Sequence, residues 1–145
     1  MGNPFAHIEL AADDVAAAKK FYKSVFDWQL KDMPFGDMTY TMVNVGKGVG
    51  GGMTPKMMGA QQPTAWLPYV EVADVAKSLA KAKSAGANVV VERTPIGENM
   101  GSFGVFVDPQ GAALGLWEAS KKAPAKRAAA KKKPAKKAAK KKGKR

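Results

Sequence analysis

Few side chains in this sequence could do chemistry, and two short segments hold most of them. Phe5-Ala6-His7-Ile8-Glu9-Leu10-Ala11 alternates as a half-buried strand does, and Leu67-Pro68-Tyr69-Val70-Glu71-Val72-Ala73 repeats the pattern. Alternation puts His7 with Glu9 on one face and Tyr69 with Glu71 on the equivalent face of the repeat, leaving Ile8, Leu10, Val70 and Val72 for a core. His7 is the one imidazole of the chain. If the two polar faces line a common concavity, imidazole, carboxylate and phenol groups converge there. Such a set suits either a metal ion or a small polar molecule held without one. With no cysteine in the chain, thiolate zinc sites, iron–sulfur clusters, disulfides and a cysteine nucleophile are excluded.

The elements that must position these groups also read twice. Asp14-Val15 and Asp74-Val75 each place an aspartate where it caps a helix N-terminus. The first helix offers Val15, Ala18, Tyr22, Val25 and Phe26 to the core, and the second offers Val75, Leu79 and Ala82 and stops at Gly86. Strands follow at Trp28–Leu30 and Val89–Val91. Hairpin-like stretches come next, Met38–Val45 to Val49–Met53 and Ser102–Val107 to Ala112–Glu118, the latter through the turn Asp108-Pro109-Gln110-Gly111. The chain therefore predicts an α+β fold of two β-α-β-β-β modules, about 4–54 and 65–119, joined by a Pro- and Gly-bearing linker over 55–64. One module is too small to bury a satisfactory core, so the two must pack together or against a second chain.

This duplicated pattern resembles the vicinal oxygen chelate superfamily of glyoxalases, bleomycin-binding proteins and extradiol dioxygenases. The carrying residues are His7-Ile8-Glu9-Leu10 with Asp13-Asp14, Phe21–Trp28, Gly101–Gly111 and Leu114-Gly115-Leu116-Trp117-Glu118. The resemblance implies a curved mixed sheet over residues 1–119. In metal-dependent members each module gives one ligand from its first strand and one from its last. Carried over, these positions are His7 and Glu118, with Tyr69 and, by aligning Gly51 with Gly115, Thr54 at the other two. Tyr69 and Thr54 are not common ligands of a divalent ion. The resemblance thus implies one Zn, Ni, Mn or Fe ion on His7 and Glu118, and a lyase or isomerase reaction in which Glu118 or Glu9 moves a proton. It equally implies a metal-free protein that sequesters a small ligand, as bleomycin-binding proteins do. Trp117, with Phe103 and other aromatics, either walls a flat-ligand pocket or packs the core. Gly50-Gly51-Gly52 lacks the GK[ST] of a phosphate loop and reads as close backbone approach within a sheet.

Charge separates the remainder. The 145 residues carry a net +12, yet residues 121–145 hold 14 of the 24 Lys+Arg and none of the 12 Asp+Glu. Ten cations against twelve anions leave the first 120 residues at −2. Residues 120–145, rich in Lys and Ala, resemble the tails of linker histones and bacterial histone-like proteins and are expected to be disordered alone. Lys131, Lys132, Lys133, Lys136, Lys137, Lys140, Lys141 and Lys142 are the candidate contacts to DNA or RNA phosphates. The absence of aromatics in this stretch argues against base stacking, and binding is expected to be non-specific. No apolar run approaches a membrane span, and no secretory signal is evident. The expected setting is the cytoplasm or, in the DNA-binding reading, the nucleoid, with a homodimer as the expected assembly. A third reading makes the chain a nucleoid-associated protein whose globular part mainly dimerises.

Overall fold

The computed structural model describes residues 2–57 and 59–121. Its elements run β1 (Phe5–Ala12), α1 (Val15–Val25), β2 (Gln29–Phe35), β3 (Met38–Asn44), β4 (Gly51–Pro55), a short 3-10 turn (Gly59–Gln61), β5 (Ala65–Glu71), α2 (Val75–Ser84), β6 (Asn88–Pro95), β7 (Ser102–Val107) and β8 (Ala113–Glu118). Both modules are thus β-α-β-β-β. Each helix starts where the sequence places a cap. Asp14 Oδ1 accepts the Ala17 N–H at 2.9 Å and Asp74 Oδ1 accepts the Lys77 N–H at 2.9 Å, satisfying donors that the first turn leaves open. Gly86 follows α2 with φ of +97°, the left-handed turn that a side chain would resist.

The eight strands form one sheet in the order β2-β3-β4-β1-β5-β8-β7-β6. Within each module the first and last strands pair in parallel, β1 with β4 and β5 with β8. The modules meet through the antiparallel pairing of β1 with β5, which sets His7 opposite Tyr69. The expected curvature is corrected here. Edge-to-edge joining makes the second module a continuation of the first, so the sheet stays open and uncurled, with β2 and β6 as separate free edges.

Strand alternation divides the sheet into two faces. On one, Leu10, Ala12, Val43 and Met53 pack beneath Val15, Ala18 and Tyr22 of α1, while Leu116 packs with Val75 and Leu79 of α2. Fully burying the leucine, valine and methionine side chains among these is worth roughly 1.5–3 kcal/mol each and forms the main drive to fold. Val25 and Phe26 differ from expectation. They are 53% and 44% exposed, because α1 rests chiefly on β1 and β4 and its last turn runs beyond them. Among the described residues the opposite face carries no helix, and the chemistry-bearing residues of β1 and β5 lie there. The Lys/Ala-rich segment, with every lysine singled out for phosphate contact, falls in 122–145, outside the described residues.

Candidate functional site

Four side chains from three strands form a connected network on the helix-free face. His7 and Glu9 come from β1, Tyr40 from β3 and Tyr69 from β5. His7 Nε2 lies 2.7 Å from the Tyr40 hydroxyl, which donates to Glu9 Oε2 at 2.9 Å. Tyr69 donates to Glu9 Oε1 at 3.5 Å. Because the single Tyr40 proton goes to Glu9, the His7 contact requires the proton on His7 Nε2, which donates to the Tyr40 oxygen. The network is half open, with the His7 and Glu9 side chains 31% and 24% exposed.

Burial sets the electrostatics. It pushes the Glu9 carboxyl above its ordinary range, opposed by the hydrogen bonds from Tyr40 and Tyr69. It pushes both phenols far above theirs, and the neighbouring Glu9 charge adds to the effect. It lowers His7, which therefore favours the neutral ring. A carboxylate braced by two hydroxyls beside a neutral imidazole is the result.

Two glycines make room for the two tyrosines. A Cβ on Gly52 would overlap the Tyr40 hydroxyl, and one on Gly115 would overlap the Tyr69 ring. Phe103 stands edge to face with Tyr69 at 6.4 Å and Phe35 lies 6.4 Å from Tyr40, so rings flank the network on both sides. Trp117 sits opposite Phe103 in the β7–β8 ladder and anchors its indole N–H on the Met100 carbonyl at 3.0 Å. Glu71, exposed at the end of β5, pairs with Trp117 in the β5–β8 register.

Glu118 lies elsewhere. Tyr69 is in register with Gly115, so Glu118, three residues on, points to the helix side of the sheet. There its Oε2 accepts the Val75 N–H at the start of α2 at 2.6 Å, and its Oε1 accepts from Arg93 Nε at 2.8 Å and from Arg93 Nη2. Arg93 holds the Glu118 carboxyl below the usual carboxylate range, and the Val75 N–H adds to this. Thr54 lies on the helix-free face beside Ala11 of β1 and donates to the Pro55 carbonyl at 3.2 Å. The strand registers also shift the internal repeat by one. Ile8 pairs with Gly51 and Val70 with Leu116, so Gly50, not Gly51, is the counterpart of Gly115.

These placements overturn the expected divalent ion. Among the described residues no three His, Cys, Asp or Glu side chains come close enough to hold a metal. His7 and Glu118 occupy opposite faces of the sheet, and the His7 Nε2 and the Glu118 oxygens already have protein partners. The donor set present does not fit Zn, Ni, Mn or Fe, and no step through a metal is derived.

Sequence reasoning missed Tyr40 and Arg93; it read Gly52 as a place of close approach within the sheet but not that Gly52 and Gly115 seat tyrosine rings. The alternation Met38, Tyr40, Met42 was the available signal for Tyr40. Two surface clefts lie away from the network. One of about 280 Å³ sits by Arg93, Glu118 and Lys121, and one of about 440 Å³ by Asp74, Lys77 and Lys81.

Comparison with known proteins places this architecture. Two curated relatives, each named "Putative glyoxylase CFP32", from Mycobacterium bovis and Mycobacterium tuberculosis, are 34% identical over 118 residues, covering 79% of this chain and 45% of theirs. The chain thus spans about half the length of those relatives. Among solved structures, a hypothetical protein from Bacillus halodurans aligns with a TM-score of 0.61 at 14% identity over 86% of this chain and 99% of its own. Methylmalonyl-CoA epimerase from Mycobacterium tuberculosis aligns at 0.58 with 16% identity over 80% and 87%. At such identities these two share the fold alone. The Glyoxalase/Bleomycin resistance protein/Dioxygenase superfamily model matches residues 5–116, and the chain belongs to that superfamily.

Proposed function

We propose that this protein binds a small organic ligand on the helix-free face, at the His7–Tyr40–Glu9–Tyr69 network, without a metal. The observation that carries the reading is the network itself. Four polar side chains from distant strands are drawn together on a face that no described helix covers, with His7 and Glu9 partly open to solvent and Tyr69 buried. A purely structural network would gain nothing from staying half open, whereas a ligand face needs both seated polar groups and access. Flanking rings from Phe35, Tyr40, Tyr69 and Phe103 supply apolar contact. Binding is favoured over proton transfer, because the two tyrosyl hydroxyls stabilise the charged Glu9 carboxylate while leaving each oxygen a second lone pair for a ligand donor. A thermal-shift screen of small molecules in EDTA tests this. Compounds that stabilise the wild type should lose their effect in Tyr40→Phe, and a screen whose hits all need an added divalent ion contradicts it.

A second reading rests on charge and is independent of the face. Residues 121–145 concentrate 14 cations without an acid, so we also propose non-specific tethering to DNA or RNA through Lys131, Lys132, Lys133, Lys136, Lys137, Lys140, Lys141 and Lys142. With roughly 6–8 phosphates engaged, log Kd should depend on log salt with a slope of about 5 to 7 in magnitude. A slope below about 2 contradicts the tether. Cytoplasmic, nucleoid-associated residence and a homodimer complete this reading. Phe21, Val25 and Phe26, all exposed on or just after α1, are the candidate dimer contact, and light scattering decides it.

A further inference from the structure

The ligand face has a charge preference, legible from where its protons point. Every donor in the network is aimed inward. His7 Nε2–H goes to Tyr40, and both phenolic hydroxyls go to Glu9. What remains for a ligand is acceptors: the lone pair of His7 Nδ1, the second lone pairs of the two phenols, and the Glu9 carboxylate. His7 Nδ1 accepts no hydrogen bond from any described residue.

The surroundings carry the same sign. The six inner strands, β3, β4, β1, β5, β8 and β7, contain no lysine or arginine, and Lys31, which alternation puts on this face, stands exposed on the edge strand β2 opposite Met42. They contain three glutamates, of which Glu118 is neutralised by Arg93 on the far face, leaving Glu9 and Glu71 on this one. A carboxylate or phosphate ligand would meet lone pairs and negative charge. A cation would meet acceptors, and aromatic rings whose faces attract positive charge.

Resting on the reading that this face is the ligand site, we propose that it takes an organic cation: a protonated amine, amidinium or guanidinium on a flat apolar body. Its N–H groups reach Glu9 and His7 Nδ1, and its body lies against the Tyr40 and Tyr69 rings that neighbour His7. Tyr40 and Tyr69 fix the Glu9 carboxylate in place and contribute acceptors of their own. Gly52 and Gly115 keep the two phenols in position.

Benzamidine and benzoate, similar in size and opposite in charge, provide the test on the full chain. Because the chain has one histidine, its ring Hε1 gives a single NMR signal that reports on the face directly. The titration is run at pH 7.5 and 0.3 M salt, where attraction of benzoate to the basic segment is screened. Benzamidine should move the His7 signal saturably, benzoate should leave it in place, and Glu9→Gln should weaken benzamidine at least tenfold. The comparison of benzamidine with benzoate on the wild type is read without any variant, so the case does not depend on Glu9→Gln folding. Movement by benzoate, or benzamidine binding that survives Glu9→Gln, overturns the cation preference while leaving the face a ligand site. Silence of the His7 signal to both compounds overturns the preference, and the ligand-site reading is then decided by the wider screen in EDTA.

Discussion

Replacing Glu118 by Gln should destabilise the fold while sparing the ligand face. The carboxylate is 6% exposed and bridges two elements, with one oxygen on the Val75 N–H at the head of α2 and the other on Arg93 of β6. Loss of the charge-assisted bond to a buried N–H costs about 1.5–3 kcal/mol. The Arg93 guanidinium is 44% exposed and returns to water, so it adds little. For a domain of this size each kcal/mol moves Tm by about 3–6 °C, which gives a drop of roughly 5–15 °C. Circular dichroism melts of wild type and Glu118→Gln measure it. The pH dependence has a definite sign. Arg93 and the Val75 N–H depress the folded carboxyl, so its stabilisation is present above the unfolded value near 4.5 and is lost as pH falls through the lower folded value. The gap between wild type and Glu118→Gln should therefore narrow below pH 4.5. An unchanged Tm at pH 7, together with loss of ligand response, would refute the structural role and return Glu118 to the site.

Three further outcomes follow from the same geometry. The His7 ring should titrate below the ordinary 6.5, because burial disfavours its charged form; a wild-type NMR midpoint above 6.5 contradicts the burial account. Gly115→Ala should disturb the site more than the fold, displacing the Tyr69 ring and abolishing ligand-induced thermal shifts; full retention of those shifts would remove Gly115 from the account. Gly104→Ala should act the other way, since its Cβ would meet Leu79 at 2.8 Å, Val75 at 3.0 Å and the Val91 carbonyl at 3.1 Å. Overpacking there should cost about 1–3 kcal/mol by chemical denaturation, with the His7 signal unmoved.

The double β-α-β-β-β order, both aspartate caps and the Gly86 stop were legible because each rests on a local signal: period, cap chemistry, or a left-handed turn. The common face of His7, Glu9 and Tyr69 was also legible, through alternation within one strand and its repeat. Tyr40 was not, because it reaches His7 across 33 residues, and that contact depends on how β3 and β4 register against β1. Glu118 shows how sharp this dependence is. In a period of two, an odd offset from Gly115 reverses the face, and the local sequence at 114–118 does not state which residue opposes Tyr69. The metal ion fell with that reversal. Curvature was equally out of reach, since it depends on the edge-to-edge join of β1 with β5 rather than on either module alone.

The most direct measurement maps the hits of the EDTA screen by NMR on the full chain. The account predicts that they shift the His7 ring proton together with the amides of Gly52 and Gly115. Hits that leave His7 silent and instead gather at the cleft of Arg93 and Lys121, or at that of Lys77 and Lys81, would contradict the assignment of the helix-free face as the binding site.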